Sequence, residues 1–377
     1  MMKQKRNRIF ITLGCICTLV FFVLLAGCSL FIPLETYDGS AHEFTNPYGS
    51  VDWNDAVHYD ANFHTHTHLS DGDFDPHAVI DRYAEAGYSI LALTDHDDHH
   101  FMVKSEALFP WTALNAYYQE LLQSSTLWEA RSDEPWQNRD PGALGMVAIA
   151  GSEISNTDHI GSLFNNYAGG TESEAVAFTE ISTRDGLAVF HHPGRYDRTV
   201  DWYVDYLGSY DAIVGIEVFN QNDRYGGDRR LWDKVLHQMM PTRPVWGFAN
   251  DDMHGIAHLG ANRNVFPLPS LDETQVRSAM VDGAFYLYRP KYIGDLPSSR
   301  IQDISVTEGN IVVTIDGEYE KIEWITYEPI RGRSIAVAYG EECSLTKVPV
   351  GSTFVRAVIT LPDGMMYTQP FGIREKE

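Results

Sequence analysis

The chain has 377 residues, with 28 Lys or Arg against 52 Asp or Glu, and a formal net charge of −24 at neutral pH. A surface this acidic repels nucleic acid and anionic lipid at long range, which argues against a DNA- or RNA-binding role. The length is ample for a large apolar core.

The first element is a basic stretch (Lys3, Lys5, Arg6, Arg8) followed by an almost unbroken apolar run, Ile9 to Ala26, and then "LLAGCS". This is the layout of a secretory signal, and it closely resembles a bacterial lipobox. The expectation is a signal peptide over 1–27, cleavage before Cys28, a lipid on Cys28 and an extracytoplasmic, membrane-anchored lipoprotein. An uncleaved anchor is the alternative, since the run is long enough to span a bilayer. Cleavage would remove four basic and no acidic residues, taking the formal charge from −24 to −28. It would also remove Cys15 and Cys17, and with Cys28 lipidated only Cys343 remains, so no intramolecular disulfide is expected. Residues 28–57, polar and aperiodic, read as a tether.

From residue 58 short apolar runs alternate with helical patterns. "NFHTHTHLSDG" (62–72) places His64, His66 and His68 at alternate positions, on one face of a strand that breaks near Ser70. "SILALT" (89–94), "GMVAIAG" (145–151), "LAVFHH" (187–192), "IVGIEVF" (213–219) and "PVWGFAN" (244–250) read as buried strands. Helices are expected from Asp75-Pro76 to Gly87 and over about 111–131, 172–184, 228–239 and 272–282. Repeated strand–helix units predict an α/β domain over 58–297 with a parallel sheet, barrel or open. Residues 298–377 change texture to alternating strands between Gly, Pro and Asp turns. They predict a small all-β sandwich of immunoglobulin-like character, expected to be an independent module.

The ends of the strands carry the chemistry. In order they present His64 and His66, then Asp71; Asp95, His96, Asp97 and Asp98; Glu153, with Asp158 and His159; His191, His192 and Arg195; Glu217 and Asn220; and Asp251, Asp252 and His254. Active sites of α/β barrels lie at the C-terminal ends of the strands. Imidazole with carboxylate suits zinc, manganese or iron better than the all-oxygen preference of calcium or magnesium.

"FHTHTHLSDG", "LTDHD", "GSEIS", "HHPGR" and "NDDMH" together resemble the successive motifs of the PHP (polymerase and histidinol phosphatase) superfamily of metal-dependent phosphoesterases, over roughly 59–297. The resemblance implies a distorted seven-stranded (β/α) barrel with two or three divalent ions (Mn, Zn or Fe). By the same resemblance, His64, His66, Glu153 and Asp252 would hold one ion. Glu153 would bridge to a second, completed by His192 and His159, while Asp71, His96 and His254 would hold a third. His68 falls on a variable position of the motif. Glu153, Asp252 and His192 are the expected catalytic centre.

Asp95, Asp97, Asp251 and Glu217 are available to anchor the second ring nitrogens of ligand histidines. Arg195 reads equally as a phosphate clamp or a surface ion-pair partner, His191 as a packed neighbour, and His99 and His100 as loop residues. His42, His58, His77, His237 and His258 have no motif context. The expected activity is hydrolysis of a small phosphomonoester or phosphodiester by metal-activated hydroxide. An amidohydrolase-like reaction on another bond, or a metal-stabilised binding lipoprotein, are the alternatives, because one fold hosts many chemistries.

Overall fold

The computed structural model describes residues 35–97, 111, 137–167, 169–170, 173–307 and 309–376. The expected signal peptide, Cys28, the helix over 111–131 beyond its first residue, and Asp98, His99 and His100 lie outside the described residues. No helix among the described residues is long and apolar enough to cross a membrane.

The elements are, in order, β1 (His42–Phe44), β2 (Val57–Asn62), α1 (Pro76–Glu85), β3 (Ile90–Ala92), β4 (Val147–Ile149), β5 (Gly151–Ile154), β6 (Ile160–Leu163), α2 (Glu174–Thr183), β7 (Leu187–Phe190), α3 (Val200–Ser209), β8 (Ile213–Asn220), α4 (Gly227–Met239), β9 (Trp246–Asn250), β10 (Arg263–Leu268), α5 (Glu273–Asp282) and β11 (Tyr286–Pro290). Eight more strands follow: β12 (Arg300–Thr307), β13 (Asn310–Asp316), β14 (Lys321–Glu328), β15 (Arg333–Tyr339), β16 (Glu342–Ser344), β17 (Phe354–Leu361), β18 (Gly364–Tyr367) and β19 (Phe371–Glu375). The protein is therefore a mixed α/β fold, rich in strands.

Local chemistry sets the helix ends. Pro76 takes the first turn of α1, where a missing N–H costs nothing. Ser173, Thr199 and Asp272 cap α2, α3 and α5 by accepting from Val176, Trp202 and Gln275 N–H. Helix α3 has no counterpart among the sequence expectations, because its aromatic and β-branched residues are weak helix formers. Strand β10 is likewise hidden, by Pro267. That proline sits where β10 pairs with β2 alone, since β11 reaches only Arg263 to Val265.

The strands expected to form a barrel do not make one continuous hydrogen-bonded ring. β10, β2, β3 and β4 belong to one sheet and β5 to β9 to another. Nor is the arrangement uniformly parallel: β10–β2, β5–β6 and β6–β7 are antiparallel. Buried asparagines span the gap between β9 and the β10–β2 pair. Asn264 accepts from Ala249 N–H at 2.9 Å and donates to Ala249 C=O at 2.8 Å. Asn250 accepts from Phe63 N–H, and Asn62 from Asp251 N–H. On the other side, His96 bridges Glu153 in parallel fashion beyond the end of β3. Side-chain amides thus satisfy backbone groups that a ladder would otherwise pair.

The C-terminal strands do not stand apart. The described residues from Tyr37 onward form one compact unit, and β18 pairs with β11 along Leu287–Tyr367 to Pro290–Gly364. Phe354, Val358 and Tyr367 share a core with Trp232 and Leu236 of α4. Part of the expected tether is also woven in, since β1 pairs with β19. The free thiol, Cys343, is buried in the core between β12–β13 and the C-terminal sheet.

Candidate metal centre

His64 and His66 lie just beyond the end of β2 rather than within it. Thr65 bridges Met253, and His66 N–H donates to Met253 C=O, so the segments after β2 and β9 run side by side. His64 Nε2 lies 3.2 Å, and His66 Nε2 3.1 Å, from the same Asp252 Oδ1. They are also 3.1 Å from Glu153 Oε1 and 3.4 Å from Glu153 Oε2, respectively. His68 does not join them. The chain turns on Thr67, whose carbonyl accepts from Ser70 and Gly72, and His68 pairs with Asp75 at 3.0 Å.

Glu153 is buried, and four further imidazoles converge on it. His159 Nδ1 is 2.9 Å, His191 Nδ1 3.0 Å and His192 Nε2 3.4 Å from Oε1, while His96 Nδ1 is 3.0 Å from Oε2. Asp71, His96 and His254 gather on the more open side, with Asp71 Oδ2 3.6 Å from His96 Nε2 and 3.4 Å from His254 Nε2. The nine candidate ligands therefore form overlapping groups: His64–His66–Asp252, His64–Glu153–His192, His96–Glu153–His159 and His66–Asp71–His96–His254. The sharing differs in detail from the expected one, as His192 and His159 fall in separate groups joined through Glu153. Asp252, His159 and His192 all carry positive φ (45°, 31° and 26°). For non-glycine residues that costs about 1–3 kcal/mol each, and such strain concentrates at functional sites.

The donor set fits divalent cations. Glu217 Oε1 lies 3.0 Å from His64 Nδ1 and accepts its proton, so Nε2 turns a lone pair toward carboxylate oxygens. His64 Nε2, His66 Nε2 and Glu153 Oε2 are buried without hydrogen-bond partners among the described residues. Facing lone pairs repel unless a cation lies between them. Ligands about 2.1 Å from one ion at tetrahedral or octahedral angles are roughly 3.0–3.4 Å apart, the spacing found here.

The titration behaviour follows from the same crowding. Burial favours the neutral forms of Glu153 and Asp252, but the facing imidazoles, His64 first, hold both carboxylates well below the usual range. Burial would lower His64, yet Asp252, Glu153 and Glu217 raise it well above the usual range. Burial pushes His66 down to about 3 despite Asp252, with the His96 ring assisting. The field that favours a second proton on His64, at Nε2, is the field that would hold a metal ion there in the proton's place.

Of the four acids expected to orient ligands, Glu217 does so. It also accepts from His192 N–H (2.7 Å), Asn250 (2.9 Å) and Asn220 (3.1 Å). Asp95 instead shapes the turn after His66 through Thr67 and Ser70. Asp97 accepts from Ser155 and Gly170 N–H, and Asp251 from Gly260 and Asn262 N–H. His191 is packed, as expected, stacked on His64 at 3.7 Å. A Cβ at position 161 would overlap its ring, so glycine is required there.

Three residues escaped the sequence reading. Tyr196 lies with its ring 6.0 Å from both His159 and His192, and Tyr225 is 5.8 Å from His192. Their only signal was an aromatic beside an arginine. Arg195 is exposed, outside the ligand nest, with its guanidinium 5.8 Å from the Tyr196 ring. It makes no ion pair among the described residues, while Arg198 pairs with Asp158.

The third is Asp228, in the first turn of α4, which accepts from Gly194 N–H and so braces the turn after His192. Burial pushes its carboxyl up to about 8, the Gly194 bond opposing and the Glu217 charge adding. The native state therefore keeps a proton that the unfolded chain, near 3.8, has lost. Wild-type stability should fall relative to Asp228→Asn as pH rises from about 4 to about 8, and the difference should be flat above that. Urea unfolding of both proteins at pH 5, 6.5 and 8 measures this, and a pH-independent difference would refute it.

No family model matches the chain, and no curated protein matches it. Among solved structures, it is similar to a two-domain protein containing a predicted PHP-like metal-dependent phosphoesterase from Bacteroides vulgatus, at 14% identity and a TM-score of 0.48, over 85% of this chain and 96% of that one. It is also similar to an amidohydrolase from Chromobacterium violaceum (16% identity, TM-score 0.35, 61% of this chain and 97% of that one). A third is a lesion-specific endonuclease from Pyrococcus furiosus (14%, 0.38, 60% and 56%).

Proposed function

We propose that the protein is a metal-dependent hydrolase of small phosphomonoesters or phosphodiesters, working at a centre of two or three divalent ions. The observation that carries this reading is the convergence of nine His, Asp and Glu side chains into overlapping groups that share a buried Glu153. His64, His66 and Asp252 would hold one ion and Asp71, His96 and His254 another, with Glu153 joining His192 on one side and His159 on the other to complete the centre. Manganese, zinc or iron suits this mixture of nitrogen and oxygen donors. Ions held there would acidify a coordinated water and draw charge from a phosphoryl oxygen.

The chain's own contribution is to fix the donors. Glu217 orients His64, the left-handed backbone at His159, His192 and Asp252 aims them inward, and Arg195 offers a guanidinium for phosphate near Tyr196. The fold that goes with this reading is a distorted seven-stranded barrel with an immunoglobulin-like sandwich attached. The "LLAGCS" segment supports an extracytoplasmic lipoprotein anchored through Cys28.

The test is elemental analysis of the purified protein, followed by assays with Mn, Zn or Fe against phosphomonoesters, phosphodiesters and simple amides. At least two metals per chain and ester hydrolysis are expected. One metal or none would defeat the shared-centre reading. Amide hydrolysis alone would favour an amidohydrolase-like reaction, and a metal-replete but inert protein a binding role.

A further inference from the structure

We propose that the Tyr196 hydroxyl is a substrate-contacting group that donates its hydrogen bond to a non-bridging oxygen of the phosphoryl group. The proposal rests on the phosphoester reading above. Three observations place it. The Tyr196 ring lies 6.0 Å from the rings of His159 and His192, two of the candidate ligands that meet at Glu153. Its hydroxyl is buried and has no hydrogen-bond partner among the described residues. The Arg195 guanidinium, a cation without an ion pair among the described residues, sits 5.8 Å from the same ring.

A buried O–H without a partner is costly, and native proteins complete most such groups with protein, water or a ligand. Tyr203, packed nearby, makes the comparison plain, since its hydroxyl donates to Pro193 C=O at 3.2 Å. The Tyr196 ring stands beside His159 and His192 instead, and its hydroxyl has no such partner among the described residues. A phosphoryl group held there is rich in acceptor oxygens and lacks donors of its own, so a neutral phenol complements it where another carboxylate would repel it. Asp158 is occupied by Arg198 and does not compete for the phenol. Tyr196 thus supplies a neutral donor beside Arg195's charge.

The experiment uses the full-length, metal-replete protein and Tyr196→Phe, which keeps the ring and its packing. Inorganic phosphate is the probe, with affinity measured by titration calorimetry alongside metal content and kcat/KM on a series of aryl phosphates. Phosphate affinity should weaken on the order of 10- to 100-fold with metal content unchanged. Where esters are turned over, kcat/KM should fall by a similar factor whatever the leaving group. Unchanged phosphate affinity, loss of metal, absence of phosphate binding by the wild type, or a defect that grows with leaving-group basicity would each overturn the proposal. The two readings separate cleanly. Weakened phosphate binding in a protein that hydrolyses no ester would sink the phosphoesterase reading and keep Tyr196. Ester hydrolysis with unaltered phosphate affinity would do the reverse.

Discussion

Glu153→Gln should strip at least one metal from the protein and abolish most of its turnover while leaving the chain folded. The substitution keeps size and shape but removes the one buried charge on which His64, His66, His96, His159, His191 and His192 all converge. Two dications at the ~4 Å general to paired sites repel by roughly 17 kcal/mol at an effective dielectric of 20. A neutral amide offsets none of that. The loss of rate should exceed the ~10²–10³-fold that removing a single charge-stabilising donor costs. The control cannot be His258, although its sequence context suggests nothing, because its Nδ1 accepts from His254 N–H at 3.2 Å. His42→Gln, in β1, is the appropriate one and should change neither metal content nor rate. Full metal occupancy and near-normal turnover in Glu153→Gln would remove the shared carboxylate from the account, and the multinuclear centre with it.

That the ligand candidates were legible in the sequence, and their supports less so, has a physical cause. Most candidates lie at or just beyond the end of a strand, and a strand end is marked locally by an apolar run giving way to His, Asp or Glu. What holds the candidates is long-range. Glu217 could be guessed as a partner for some histidine, but its contact with His64 spans 153 positions. Asp95, Asp97 and Asp251 looked equivalent to it and instead serve backbone N–H groups, a choice made by turns rather than by residue type. Asp228 carries no pattern at all and Tyr196 only a neighbouring arginine, since what matters for both is burial beside other segments of the fold. The link between the two sheets was hidden for a related reason. Nothing in the sequence marks Asn62, Asn250 and Asn264 as the residues that replace ladder hydrogen bonds.

Deleting the strands after residue 298 should yield an insoluble, metal-poor product, although their sequence reads as an autonomous module. Deletion would bare the edge of β11, which pairs with β18 over four residues, Leu287 to Pro290. An uncovered edge beside apolar surface is a template for aggregation. It would also expose the face of α4 that packs against Phe354, Val358 and Tyr367. Gln369, which accepts from Gly247 N–H and donates to Gly247 C=O, would leave β9 with unpaired backbone. The sharpest cost falls on Asp233, whose carboxylate is buried against Arg356 at 3.0 Å. Removing one partner of such a pair costs about 3–5 kcal/mol, a large share of the roughly 5–15 kcal/mol that holds a domain folded. Arg356→Leu in the full-length protein isolates that last contribution and should lower the unfolding midpoint without altering metal content measured in the cold. A soluble, metal-replete and active fragment ending near residue 298 would show the opposite, that the barrel-like region keeps its own core and the β18–β11 pairing is a docking contact.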